Sequence, residues 1–381
     1  MPDKDYITGV VRELVKISSA NPPGNEREIA ERVAMILQEI GISSTVDAIS
    51  ETRANAVGFL KGQTDGPVLV LNGHLDTVPV KEDWNHPPLG GDIVGNRIYG
   101  LGTADMKGAI ASMIAAAKMV KESHESIRGS VILSFVADEE ISNLGTRHFL
   151  NTYKNIDYAV IGEPTSLNMV NSHRGVMRFR ITVFGKAGHA SNPTQGTNAI
   201  YEMNRVISRL MELADTYGMG GEDYADRPSL SVTLIRGGTA QNIIPDRCEI
   251  VIDRRIVYYE KMSNVEEEFT GLLKKMEDDD QTFTYGIETT TTLDAWKAKD
   301  GSMLLSYGNQ AYQKCFHRQP EMADLGATCE AALFAAKGVD TFVFGPGHIE
   351  QAHSKDEHVE IDQLVKAAEY YHMLIREVLA S

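Results

Sequence analysis

The chain has 381 residues, 42% of them hydrophobic and 24% charged, a composition that suits a globular protein and a length that predicts two domains rather than one small core. Its 53 acidic residues outnumber 37 basic ones, and the net charge of −16 excludes a nucleic-acid or anionic-membrane surface. No apolar run is long enough to span a bilayer, and Met1-Pro-Asp-Lys-Asp-Tyr6 lacks the apolar core of a secretion signal, so the expected location is cytoplasmic.

From Tyr6 to Ser18, Ile7, Val10, Val11, Leu14 and Val15 recur at helical spacing. Ser19-Ala-Asn-Pro-Pro-Gly24 breaks this helix, and a second amphipathic helix runs from Glu26 to Ile40 before Gly41. A strand, a turn and a strand lead to Leu60. Val68-Leu-Val-Leu-Asn-Gly-His74-Leu-Asp76 then opens as a buried strand and breaks at its glycine. His74 and Asp76, two apart on an extended chain, share a face. A carboxylate beside an imidazole is a common way to orient a metal-binding histidine, although alone a His-x-Asp is more often an ordinary loop.

Asp105, in Gly102-Thr-Ala-Asp-Met-Lys-Gly108, precedes an alanine-rich buried helix from Lys107 to Val120. A helix cap is its simplest reading and a cation ligand the alternative. The strand Ser130–Ala137 ends in Asp138-Glu139-Glu140, a costly concentration of like charge unless a cation neutralises it. Tyr158–Ile161 is a short strand ending in Gly162-Glu163. Thr341–Phe344 is another, followed by His348 and His353, and a last helix runs from about Ile361 to Leu379. Strands alternating with helices predict an α/β fold with a mostly parallel sheet, in which sites form beyond the carboxyl ends of the strands. His74, Glu139, Glu140, Glu163 and His353 all follow strand ends, and Asp105 follows a strand-like turn.

The middle of the chain differs. Strands at Val176–Phe184, Leu230–Arg236, Cys248–Arg254 and near Phe283 alternate with helices at Asn198–Leu213 and Glu260–Met276. This order predicts a small α+β, ferredoxin-like unit inserted between the halves of the first domain, with boundaries at 1–174, 175–288 and 289–381. Cys248, Cys315 and Cys329 are odd in number and widely spaced, so they form neither a disulfide framework nor a zinc finger.

Two imidazoles and several carboxylates without a thiolate form a ligand set suited to zinc, cobalt or manganese. Spacing alone leaves Glu139 and Glu140 interchangeable. The segments Gly73-His-Leu-Asp-Thr, Gly102-Thr-Ala-Asp-Met-Lys-Gly108, Asp138-Glu-Glu140, Gly162-Glu-Pro-Thr165, Gly188-His-Ala-Ser191 and Ala352-His353, in that order, resemble the co-catalytic zinc peptidases and deacylases. That family includes acetylornithine deacetylase, succinyl-diaminopimelate desuccinylase, aminoacylase and glutamate carboxypeptidase. Ser19-Ala-Asn-Pro-Pro-Gly-Asn-Glu26 resembles its N-terminal signature, and the likeness covers essentially the whole chain.

The resemblance implies a catalytic domain with an inserted dimerisation domain, two zinc ions (cobalt or manganese as substitutes) and a homodimer. It assigns His74 and Glu163 to one metal, Glu140 and His353 to the other, and Asp105 to the bridge, with a cis peptide after it. Asp76 is implied to orient His74, and Glu139 to serve as general base toward a metal-activated water. His189 resembles the histidine sent across a dimer interface to the oxyanion. Asn242, Arg255, Gly326 and Thr328 fall in the family's substrate-binding segments, an arginine suiting a free α-carboxylate. The implied substrate is an N-acyl amino acid or a short peptide, and the implied reaction is deacylation of the acetylornithine or succinyl-diaminopimelate type. A dipeptidase or carboxypeptidase is the alternative, and a catalytically silent metal-binding scaffold is the alternative of another class. Ala331-Ala332-Leu333 departs from the desuccinylases, which carry an arginine there.

Overall fold

In a computed structural model of the chain, the residues described are 2–81, 83–123, 126–217 and 227–380. They divide into two compact units. The first comprises Met1–Asn171, Ala298–Asp324 and Cys329–Ser381, and the second Ser172–Lys297 with Leu325–Thr328.

In the first unit, helix Lys4–Lys16 buries Ile7, Val10, Val11, Leu14 and Val15. It starts two residues before the predicted Tyr6 because the Asp3 carboxylate caps it, accepting from Asp5 N at 3.0 Å and Tyr6 N at 3.1 Å. Helix Glu26–Glu39 follows the predicted span closely.

The sheet runs in the order Ser43–Ala48, Ala54–Lys61, Arg128–Val136, Thr64–His74, Tyr158–Ile161, Asp340–Val343 and Met169–His173, the last two residues of which, Ser172 and His173, are counted in the second unit. Its three central pairings are parallel and its outer ones antiparallel. A parallel centre buried on both faces explains the unbroken apolar runs of those strands. Helix Gly108–Ser123 is buried along Ala109–Ala117 and packs against helix Ile361–Val378.

The central strand does not break at Gly73. Its ladder continues, with Gly73 opposite Phe135 and His74 opposite Val136. The glycine marks a close approach instead, since a Cβ there would lie 2.9 Å from Met106 Cε. Register then decides where the chemistry collects. Asn72 pairs with Ile161, and Ile161 with Val343, so the four central strands end side by side. The residues that leave those ends are therefore neighbours although up to 279 positions separate His74 from His353 in the chain.

The second unit is a four-stranded antiparallel sheet in the order Ser229–Gly237, Arg247–Ile256, Gly175–Phe184 and Thr284–Leu293. Alternate residues of its central strands, Phe179, Ile181, Val183, Ile250 and Ile252, pack with Met203, Val206 and Leu210 of helix Ala199–Tyr217 and with Val265, Phe269 and Leu273 of helix Met262–Asp279. The last strand runs to Leu293, so the unit reaches Lys297 where the sequence predicts an end at 288. The three cysteines are buried and unpaired. Among the described residues, no helix is long and apolar enough to cross a membrane.

Candidate metal centre

His74 ends the central strand and is fully buried. Its Nε2 lies 2.8 Å from Asp105 Oδ1 and 4.0 Å from Glu163 Oε1. His353 Nε2 lies 3.3 Å from the other Asp105 oxygen and 3.0 Å from Glu140 Oε2. Asp105 thus divides its two oxygens between two imidazoles, each of which also faces a glutamate. The peptide bond after Asp105 is cis. His353 and Asp138 both adopt left-handed backbone, with φ of 57° and 67°, at the turns that lead into this cluster.

Glu140 and Glu139 part company at this site. Glu140 meets His353, whereas Glu139 places a carboxylate oxygen in a group with oxygens of Glu163 and Glu330, all within 4.8 Å of one another. His74, Asp105 and Glu140 form a second such group.

The Asp76 carboxylate is 3.7 Å from His74 Nδ1, which instead meets the Asp76 backbone oxygen at 2.9 Å. Its two oxygens accept from the backbone N–H groups of Glu139 at 3.0 Å and Glu140 at 3.2 Å. Asp76 therefore fixes the acidic turn directly and the imidazole through its main chain. Asn21 Nδ2 donates to Asp76 Oδ2 and to Asp138 Oδ1, both at 2.9 Å, so the Pro-rich turn braces the same assembly. Asp138, the first of the three consecutive acids, is taken up by Arg53, Asn21 and Ser142.

Electrostatics follow from burial and crowding. Burial foremost pushes the Glu139 and Glu163 carboxyls well above the usual range, and neighbouring carboxylates add to it. Burial opposes charge on His74, yet Asp105, Glu139 and Glu163 raise it well above an ordinary imidazole. Hydrogen bonds to Asp105 and Glu140 bring His353 up to about 10. Asp105 is held well below the carboxylate range, despite burial, by the two histidines. The raised groups share one cause, an excess of negative charge crowded into a buried place. Divalent cations would offset it, and a donor set of imidazole nitrogen and carboxylate oxygen without thiolate fits zinc, cobalt or manganese.

Glu357 and Glu330 are among the buried acids that the sequence left without a role. Glu357 accepts the backbone N–H groups of Gly102 at 3.0 Å, Ala104 at 2.9 Å and Asp105 at 3.0 Å, gripping the loop that presents Asp105. Its signal was adjacency to His353 in Ala-His-x-x-Asp-Glu. Glu330, buried beside Glu139 and Glu163, stands one residue past Cys329 and had no spacing to mark it. His348 has both ring nitrogens engaged, with Ser166 Oγ at 2.7 Å and Gln363 Nε2 at 3.0 Å.

The other sequence-assigned residues belong to the second unit. His189 is exposed, its Nδ1 2.7 Å from Ser191 Oγ, and its strand pairs with Ile243–Ile244. Asn242 is exposed and its backbone oxygen accepts from Ala190 N at 3.0 Å. Arg255 Nε donates to Asp253 Oδ1 at 2.7 Å, and Arg178 Nε takes the other oxygen at 2.9 Å. Gly326 is exposed and Thr328 half-buried in the 325–328 segment.

The profile of peptidase family M20/M25/M40 matches residues 70–377. Acetylornithine deacetylase of Vibrio cholerae serotype O1 is 33% identical over 350 residues, covering 88% of this chain and 86% of its own. The acetylornithine deacetylase of Vibrio atlanticus is 33% identical over 365 residues, covering 91% and 90%. Among solved structures, a tripeptidase from Staphylococcus aureus superposes with a TM-score of 0.84 at 18% identity over 99% of both chains. A metallo-carboxypeptidase from Sulfolobus solfataricus gives 0.83 at 18% identity, again over 99% of both.

Proposed function

This chain belongs to peptidase family M20/M25/M40 and is a hydrolase of amide bonds, and on that premise we propose that it is a two-metal deacylase of N-acyl amino acids, of the acetylornithine type. The observation that carries the reading is the division of the Asp105 carboxylate, with one oxygen 2.8 Å from His74 and the other 3.3 Å from His353. A single buried carboxylate placed between two imidazoles in this way would suit a pair of cations. His74 and Glu163 would hold one, and Glu140 and His353 the other, with Asp105 serving both. Divalent ions bound there supply Lewis acidity toward the scissile carbonyl and a lowered pKa for water.

Within that frame the protein's own groups move the proton. Glu139, fixed by its backbone N–H to Asp76 and touching neither imidazole through a hydrogen bond, takes the proton of the attacking water and hands it to the leaving amine. Its buried, acid-crowded carboxyl has the raised proton affinity that such a carrier needs. His189 serves the oxyanion from a partner copy, and Asn242 and Arg255, with Gly326 and Thr328, hold the amino-acid part of the substrate. Zinc is the proposed ion. The relatives named acetylornithine deacetylase support the acetyl group, and Ala331-Ala332-Leu333 speaks against a succinyl-diaminopimelate substrate.

The test is a panel of N-acetyl, N-succinyl and dipeptide substrates with zinc-loaded enzyme. N-acetylornithine is expected to give the highest kcat/KM, and a dipeptide leading the panel would refute the deacylase reading. For His189, a His189→Ala protein mixed with a Glu139→Gln protein is expected to regain activity that neither has alone. No recovery would rule out service from the partner.

A further inference from the structure

Glu330 is the last residue before the short helix Ala331–Ala336 and makes no capping hydrogen bond to it. Its side chain is fully buried in the first unit. Oε1 accepts from Asn72 Nδ2 at 3.0 Å, and Oε2 is buried without any hydrogen-bond partner. Asn72 lies on the central strand two residues before His74, and its own Oδ1 is likewise buried and unpartnered. One oxygen of Glu330 stands within 4.8 Å of oxygens of both Glu139 and Glu163.

A structural acid in a core should end in donors, as Glu357 does on three backbone N–H groups. Glu330 does not. It has one amide donor, one bare oxygen and two acidic neighbours, an arrangement that is costly for a charged carboxylate and that a nearby cation would relieve. Glu163 is the carboxylate on the His74 side of the bridge, so that side is where the charge is missing.

We infer that Glu330, braced by Asn72, is a further acidic member of the metal centre, set against its His74–Glu163 side to strengthen divalent-cation binding there. The inference rests on the two-metal reading above and adds a residue to it. Asn72 fixes one oxygen and so aims the other, the relation in which groups behind a ligand shell tune the metal they do not directly hold.

Cobalt titration of the full-length apoprotein tests this by calorimetry and visible absorption. The comparison is made in a His353→Ala background, which leaves the His74–Glu163 side as the remaining position. Glu330→Gln keeps the volume and an amide-compatible contact to Asn72. It is expected to weaken that equivalent by roughly 10- to 100-fold while circular dichroism stays that of the parent. Glu330→Asp, which keeps the charge, is expected to restore part of the loss, and it supplies the test if the glutamine variant does not fold. Unchanged cobalt affinity in these variants overturns the inference. So does a Glu330→Gln enzyme with parental cobalt affinity and a raised KM confined to substrates with a cationic side chain, which would assign Glu330 to the substrate's ammonium. If wild-type apoprotein takes up no cobalt that His74→Ala removes, the two-metal reading itself fails.

Discussion

Glu139 and Glu140 are adjacent in the chain and chemically alike, yet their surroundings part them. Glu140 sits on His353, and Glu139 sits among acids with Asp76 holding its backbone. Replacing Glu139 with Gln preserves size and removes the proposed proton carrier. Turnover is expected to fall about 10²–10⁴-fold, with metal content by mass spectrometry unchanged; an enzyme of wild-type rate would show that another group carries the proton. Asp76 makes a different prediction from the one its neighbour suggests. Because its carboxylate receives the N–H groups of Glu139 and Glu140 rather than the His74 ring, Asp76→Ala orphans two partly buried donors. A loss of about 2 kcal/mol or more in urea unfolding is expected, with Asp76→Asn costing less.

Among the elements, the loops that leave four aligned strand ends matter more than the strands. Gly345 follows Val343, and a Cβ on it would lie 2.3 Å from the Gly162 backbone oxygen and 2.5 Å from that of Glu163. Backbone cannot yield as a side chain can, so Gly345→Ala is expected to displace Glu163, lowering zinc stoichiometry in equilibrium dialysis while leaving the far-ultraviolet spectrum near wild type. Unaltered stoichiometry would mean that the loop gives way elsewhere. The sequence made much of this level readable. Periodicity located the helices, and candidate ligands after apolar runs placed His74, Glu163 and His353 at one set of strand ends. What it could not supply was orientation. The alternation at His74 and Asp76 says that two side chains share a face, and it says nothing of the main-chain oxygen that reaches the ring first. Gly73 read as a break because a glycine ends many strands, whereas here it makes room for Met106. Glu330 was invisible because its role depends on a partner 258 positions away, Asn72, and Glu357, although marked by its place beside His353, could not be given a role because it grips a loop 252 positions away at Asp105.

For the whole molecule, two units with separate cores should answer to different perturbations. The proposed cations bind only the first unit, so they stabilise it by mass action. Chelation is expected to lower the thermal transition of that unit, by about 3–4 kcal/mol if zinc had stood some hundredfold or more above its dissociation constant, and to leave the other transition in place. The second unit carries its own switch in His173, buried with Nδ1 2.9 Å from the Arg174 backbone oxygen, Nε2 unpartnered and the ring 5.5 Å from that of Trp296. Burial depresses this imidazole to about 4, against about 6.5 in an unfolded chain. The folded unit therefore favours the neutral ring, and the unfolded chain binds the extra proton. Stability from this source is complete above about pH 6.5 and drains away as pH falls toward 4, a loss on the order of 3 kcal/mol. Calorimetry across that window is expected to show the metal-insensitive transition moving down with acid, and His173→Phe to flatten its slope. If instead acid moves only the transition that chelation moves, His173 is not the group responsible and the two units do not unfold separately.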